Sequence, residues 1–235
     1  MRPSVLAQQC LTKPSSIKMK IAIFGANGDS GREIMNSILE RGHSVVAAVR
    51  RPETVTATES VQVRKVNLND VDSIVTAIDG CDVVVSATGS GKLVAASKHT
   101  TIYSEGTKAI GKAMRKQGIK RLLVLSSSGL EYDEYHGFVY LCCLRRYIMN
   151  TYVDMARMEG MVEEWGRNDD NNIEWTLVRL PYITPGPSKE FIVKELTGGN
   201  ECQNLLHFVD VGKFVAREID ERKYIGKFPA PAYKR

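Results

Sequence analysis

The sequence predicts a single α/β domain with a doubly wound, mostly parallel sheet covered by helices on both faces. Three observations carry this expectation. From Lys20 onward, short β-branched runs alternate with longer amphipathic stretches, which is the order of strands joined by crossover helices. Glycines stand where the amphipathic stretches end. The first apolar run leads straight into Gly25, Gly28 and Gly31, a strand-to-helix turn at regular spacing. With 235 residues, 43% of them hydrophobic and 25% charged, the chain is long enough to bury one large core.

Taken in order, strands are expected at 20–24, 44–50, 61–66, 82–86, 121–126 and 174–180, each followed by a helix or a turn. Helices fit 31–41, 71–78, 104–117 and 155–167, with Gly42, Gly80 and Gly118 as stops. A last short strand at 205–209 precedes Asp210, placed as the cap of a final helix over 211–220. The stretch 129–154 breaks the rhythm and carries Tyr132, Tyr135, Phe138, Tyr140, Tyr147 and Tyr152. It reads either as a wall of a substrate site or as an amphipathic helix packing its aromatics on the domain, with Cys142 and Cys143 as small core residues. Residues 1–18 read as a flexible tail in preference to an organelle transit peptide, so the folded domain is expected over 19–235.

Composition removes several classes of function. The net charge of +5 comes largely from Arg2, Lys13, Lys18 and Lys20, and beyond them basic and acidic residues nearly balance. No basic stripe interleaved with aromatics offers a phosphate-backbone grip, so nucleic acid is not an expected partner. No apolar run is long enough to cross a bilayer. The five cysteines form no CxxC pair and follow no secretory stretch, which fits a reduced, cytoplasmic protein without a metal site. A monomer is expected.

The loop Gly25-Ala26-Asn27-Gly28-Asp29-Ser30-Gly31 is the strongest functional signal. Gly25 permits the tight turn, Gly28 lets loop amides approach a pyrophosphate, and Gly31 lets the helix lie close on the sheet. Partial positive charge at the helix start favours an anion there. This is the Rossmann-type arrangement, and it points to a dinucleotide held by Gly25, Asn27, Gly28, Asp29, Ser30 and Gly31. An acidic residue ending the second strand would bond a free ribose 2′-hydroxyl and repel a 2′-phosphate; here Arg50 and Arg51 stand instead, so NADP(H) is expected over NAD. Ala87, Thr88 and Gly89 after the fourth strand, with Gly91 beyond, are placed under the middle of the cofactor, and Ser126 and Ser127 at the end of the fifth beside it.

A short-chain dehydrogenase that oxidises alcohols would present Tyr-x-x-x-Lys after the fifth strand. No tyrosine downstream of Ser128 is followed by that lysine: His136, Val139, Leu144, Thr151 and Ala156 occupy the positions. Hydride transfer must be organised otherwise, and an isomerase or epimerase lacks its usual pair.

With these features the chain resembles the atypical short-chain dehydrogenases of the NAD(P)H-binding, NmrA-like group, in particular its flavin and biliverdin reductases. The likeness runs from Lys20 to about Tyr233. It rests on Ile21-Ala22-Ile23-Phe24-Gly25-Ala26, Tyr103-Ser104-Glu105-Gly106, Gln117-Gly118-Ile119-Lys120 and Arg179-Leu180-Pro181-Tyr182-Ile183. The resemblance implies an NADPH-dependent reductase whose nicotinamide stays open to a small planar acceptor, a flavin, a linear tetrapyrrole or a quinone, with the chemistry carried mainly by the cofactor. By position, the hydroxyl near the nicotinamide falls on Ser128. The proline-histidine pair of the group falls on Pro181-Tyr182, which makes Ser128 and Tyr182 the candidate catalytic residues and places Pro181 and Ile183 against the cofactor. Asn67 replaces an acidic residue beside the adenine, which Asn67 and Leu68 would cover. The group's second phosphate-binding arginine is missing near Thr54, where Arg51 would compensate. The alternative from another class is a non-catalytic NADP(H) sensor that regulates a protein partner.

Overall fold

In β1 (Lys20–Phe24), Ile21 and Ile23 go to one face and Ala22 and Phe24 to the other, and all four are buried. In β2 (Ser44–Val49) the same split separates Val45, Ala47 and Val49 from Val46 and Ala48. Strands apolar on both faces belong inside a sheet covered on both sides. The computed structural model, which describes residues 17–89, 99–130, 148–168, 173–195 and 202–235, has this arrangement.

Together with β3 (Val61–Lys65), β4 (Val83–Ser86), β5 (Arg121–Ser127) and β6 (Glu174–Leu180), these strands form a six-stranded parallel sheet in the order β3-β2-β1-β4-β5-β6. Helices α1 (Asp29–Glu40) and α5 (Phe208–Glu221) cover one face through Ile34, Ile38, Phe214 and Ile219. The other face is covered by α2 (Val71–Ile78), α3 (Ser104–Gln117) and α4 (Met149–Asn168), through Ile74, Ile78, Ile110, Met114, Met158 and Val162. The winding reverses between β1 and β4, so their connections leave in opposite directions and open a crevice at the carboxyl ends of the strands.

The six expected strands are present, each within a residue of its expected ends, and α2 and α3 have the expected bounds. Gly42, Gly80 and Gly118 all adopt positive φ, as left-handed helix stops require. Other expectations need correction. Helix α1 begins at Asp29, inside the glycine loop, because a helical first turn is what presents amides to the crevice. Helix α4 starts at Met149, six residues early. The last strand, β9 (Leu205–His207), is shorter than expected, and α5 starts at Phe208 with His207 as its N-cap. Asp210 is therefore not a cap; it lies in the first turn of α5 and is fully buried.

Three strands were not anticipated. β7 (Tyr182–Thr184) pairs in parallel with β9, and β8 (Phe191–Lys194) pairs antiparallel with β10 (Ala230–Tyr233). Each has three or four residues and a partner distant in sequence, so no local pattern announces it. Of the stretch 129–154, the aromatic residues Tyr132, Tyr135, Phe138, Tyr140 and Tyr147, with Cys142 and Cys143, lie outside the described residues, as do Gly91 and residues 1–16. Tyr152 is buried on α4. No helix among the described residues is long and apolar enough to cross a membrane.

Candidate functional site

The glycine loop is built by close backbone approach. Gly25 has φ +80°, and a Cβ there would come within 2.5 Å of the Ala87 carbonyl oxygen, so β1 and the chain after β4 meet with no room for a side chain. A Cβ on Gly31 would lie 2.1 Å from the Gly25 carbonyl oxygen, which fixes α1 directly on the loop. Gly28 differs: an added Cβ meets nothing closer than the Gly25 oxygen at 3.4 Å. Gly28 also caps α1 without any side-chain hydrogen bond, so the first amides of the helix are left to a ligand rather than to the protein. Asp29 pairs with Arg32 at 2.8 Å on the exposed side of that turn.

Around this loop lies a cavity of about 770 Å³ at the carboxyl ends of the strands. Its lining includes Gly25, Asn27, Gly28, Asp29, Ser30 and Gly31, then Arg50 after β2, Leu68 after β3, and Ala87, Thr88 and Gly89 after β4. Ser126 and Ser127 of β5, with Pro181 and Ile183 around the end of β6, complete the expected set that the structure brings together.

Four expected residues do not line it. Arg51 opens the short 3-10 turn Pro52–Thr54, where its carbonyl accepts the Thr54 hydroxyl at 2.6 Å and its side chain is exposed. Thr54 in turn accepts a hydrogen bond from the Asn27 amide at 3.2 Å, which ties the glycine loop to this turn. Asn67 folds its side-chain oxygen back onto the Asn69 N–H at 3.1 Å, an Asx turn leading into α2, and leaves the wall to Leu68. Ser128 is buried in the 3-10 turn Ser128–Leu130, because β5 runs to Ser127 and the turn carries the chain aside. Tyr182 is 66% exposed. Its neighbours Pro181 and Ile183 line the cavity, and the alternation of an extended chain sends the residue between them the other way.

Several lining residues went unanticipated. Leu125 and Leu180 stand at strand ends, Tyr103 closes the approach to α3, Met155 comes from α4, and Phe208 is the first residue of α5. Tyr103 and Leu180 had a signal, as parts of Tyr103-Ser104-Glu105-Gly106 and Arg179-Leu180-Pro181-Tyr182-Ile183. Asp154 on α4, 1% exposed, holds Tyr103: the carboxylate accepts the Tyr103 N–H at 2.9 Å, the Ser104 N–H at 3.4 Å and the Ser104 hydroxyl. A carboxylate from another helix thus supplies the negative cap that α3 lacks on its own first residue.

The cavity is chemically divided. Its titratable side chains among the described residues are Asp29, Arg50 and Tyr103. The end formed by Leu125, Ser126, Ser127, Met155, Leu180, Pro181, Ile183 and Phe208 offers apolar surface and two hydroxyls. Ser127 accepts the Gly129 N–H at 3.2 Å, which leaves its proton to donate. The Ser126 hydroxyl is buried without a partner among the described residues, and Ser86 and Thr88 pair their hydroxyls at 3.0 Å. Bare helix amides, a backbone with no room for side chains and one arginine at the rim fit a dinucleotide with its pyrophosphate on α1.

Fold and crevice together define a dinucleotide-binding α/β domain. The chain belongs to the NAD(P)H-binding family, whose model matches residues 25–222. Solved structures share the fold. An oxidoreductase of Lactococcus lactis is 18% identical, with a TM-score of 0.71 and coverage of 92% of this chain and 91% of that one. A candidate NADH-flavin reductase of Streptococcus pneumoniae is 20% identical, also with a TM-score of 0.71, covering 92% and 100%. A Veillonella parvula short-chain dehydrogenase/reductase in complex with NADP is 16% identical, with a TM-score of 0.66, covering 92% and 95%. Among curated proteins, the 3β-hydroxysteroid dehydrogenase/Δ5→4-isomerase of Mycobacterium tuberculosis is 24% identical over 119 residues, 47% of this chain. That match spans only 32% of the relative's length.

Proposed function

We propose that the protein is an NADPH-dependent reductase that passes hydride to a flat conjugated acceptor: a flavin, a biliverdin-like tetrapyrrole or a quinone. The observation that carries this reading is the apolar part of the cavity lining, Leu125, Met155, Leu180, Pro181, Ile183 and Phe208, with the hydroxyls of Ser126 and Ser127; among the described lining residues there is no imidazole or ammonium, the carboxylate is that of Asp29 in the glycine loop and the phenol that of Tyr103. Reduction of a simple carbonyl builds up an alkoxide and calls for a positioned acid. A flavin or quinone spreads the added charge over its rings and can take its proton from solvent. The apolar walls and Phe208 suit such a molecule.

When bound, the reduced nicotinamide supplies hydride. The chain's own residues would then bind and orient: the α1 amides at Asp29 to Gly31 would hold the pyrophosphate, Arg50 would meet the 2′-phosphate, and Ser127 would offer a hydrogen bond near the reacting rings. The choice of NADPH rests on Arg50 and on the lack of an acidic side chain at the end of β2. The Streptococcus pneumoniae neighbour supports the flavin by its name, and the Veillonella parvula one binds NADP. The reading places the protein in the cytoplasm.

The experiment is turnover of NADPH with FMN, riboflavin, a quinone and biliverdin offered in turn. Consumption with at least one, and slower consumption of NADH, is expected. Tight NADPH binding without turnover on any acceptor would replace the enzyme by a dinucleotide sensor.

A further inference from the structure

The loop between β7 and β8, residues 185–190, is rich in proline and glycine and exposed throughout, yet it is anchored by a carboxylate with no exposure at all. Asp210, in the first turn of α5, accepts three hydrogen bonds from two other segments. Ser188 Oγ donates at 2.6 Å, the Lys189 N–H at 3.1 Å, and Tyr233 Oη of β10 at 2.5 Å. The Tyr233 oxygen itself accepts the His207 N–H at 3.1 Å, the peptide immediately before Phe208. The His207 Nδ1–H donates to the Pro187 carbonyl at 2.7 Å, and Gly186 packs so closely on the imidazole that a Cβ would fall within 2.5 Å of its ring atoms.

The network joins two sides of the cavity. Ile183 reaches it from β7 and Phe208 from α5, and β7 and β9 are in register with Ile183 beside Leu206 and Thr184 beside His207. We infer that Asp210 and Tyr233 are positioning residues for the acceptor: through the His207 peptide and the 185–190 loop they set the spacing of Phe208 and Ile183, and so the width of the slot for a flat ring. This rests on the proposed reductase reading and adds to it the side chains that set acceptor affinity. The dinucleotide end lies on separate elements, the glycine loop and the turn after β2.

The bonding pattern leaves little tolerance. Asp210 receives three donors and gives none, so Asp210→Asn would turn an amide NH₂ toward at least one of them. Tyr233→Phe would leave the buried His207 N–H without its acceptor and Asp210 one donor short. Burial, with the hydrogen bond to Asp210, pushes the Tyr233 phenol up to about 12, so it stays a donor across any ordinary assay pH.

The test uses the whole protein with Tyr233→Phe and Asp210→Asn, FMN as the acceptor and NADPH as the donor. Tyr233→Phe is expected to raise the KM for FMN by about threefold or more, to leave the NADPH Kd within about twofold, and to speed amide hydrogen exchange at 182–190 and 207–210 while sparing 25–31. Asp210→Asn should move the same readings further. An unchanged FMN KM, or FMN and NADPH weakened together, overturns the inference and leaves the flavin reading intact. Failure of the unmodified protein to reduce any flat acceptor overturns the reading, and the inference with it.

Discussion

Arg50 and Arg51 are adjacent in sequence and differ in surroundings. Arg50 lines the cavity, whereas Arg51 opens the following turn. A charge-assisted hydrogen bond contributes about 1.5–3 kcal/mol, so Arg50→Ala should weaken NADPH by roughly tenfold or more while leaving NADH almost unaffected. Arg51→Ala should change the NADPH Kd by less than about threefold, and fluorescence titration of both nucleotides reads the difference. The glycines separate in a similar way. Gly28→Val puts its branch toward the cavity and should abolish dinucleotide binding in a protein that stays folded by circular dichroism. Gly31→Ala drives a Cβ into backbone and should instead lower the unfolding temperature. At the acceptor end, Phe208→Ala should raise the KM for a flavin more than Tyr182→Ala does, because Phe208 faces the cavity and Tyr182 faces solvent. With solvent as the proton source, Tyr182→Phe should cost less than about tenfold in turnover.

Among the elements, those that a local pattern defines were legible. Strands β1, β2 and β4 are almost wholly apolar runs, β3, β5 and β6 are apolar or β-branched runs with polar residues among them, and the glycine loop and its helix form a contiguous motif. What the sequence concealed is set by pairing at a distance. Strands β7, β8 and β10 acquire their partners only when the chain returns, and Asp210, which reads as an ordinary N-cap, is drawn inward by Tyr233 and the 185–190 loop. The Arg121–Glu218 pair is of the same kind. Arg121 opens β5, Glu218 lies on α5, both are about 2% exposed, and they meet at 2.7 Å. Thr176 Oγ1 and the Glu174 carbonyl take further bonds from the guanidinium, while burial lowers its pKa to about 10. Removing one partner strands a buried charge, so Glu218→Ala should destabilise the fold by about 3–5 kcal/mol in urea unfolding. The pair sits at the amino end of its strand, away from the crevice, and NADPH affinity should not change.

For the molecule as a whole, the topology decides where a site can lie before any side chain is considered: the reversal between β1 and β4 opens one crevice, and the glycine loop lies in it. That much follows from residue order. Which of two adjacent expected positions reaches the crevice does not. Ser127 rather than Ser128, Leu68 rather than Asn67, and Ile183 rather than Tyr182 depend on one-residue differences in strand length and on alternation. Because only the folded state forms this crevice, NADPH at 100 times its Kd should stabilise the protein by about 2.7 kcal/mol, with a smaller shift for NADH at equal concentration. Whether the crevice serves NADPH-dependent reduction of a flat acceptor is read by following loss of the reduced nicotinamide absorbance with FMN, riboflavin, a quinone and biliverdin in parallel. Turnover with at least one acceptor is expected, with a preference for NADPH over NADH that Arg50→Ala removes; tight NADPH binding with no turnover on any of the four would overturn the reductase assignment.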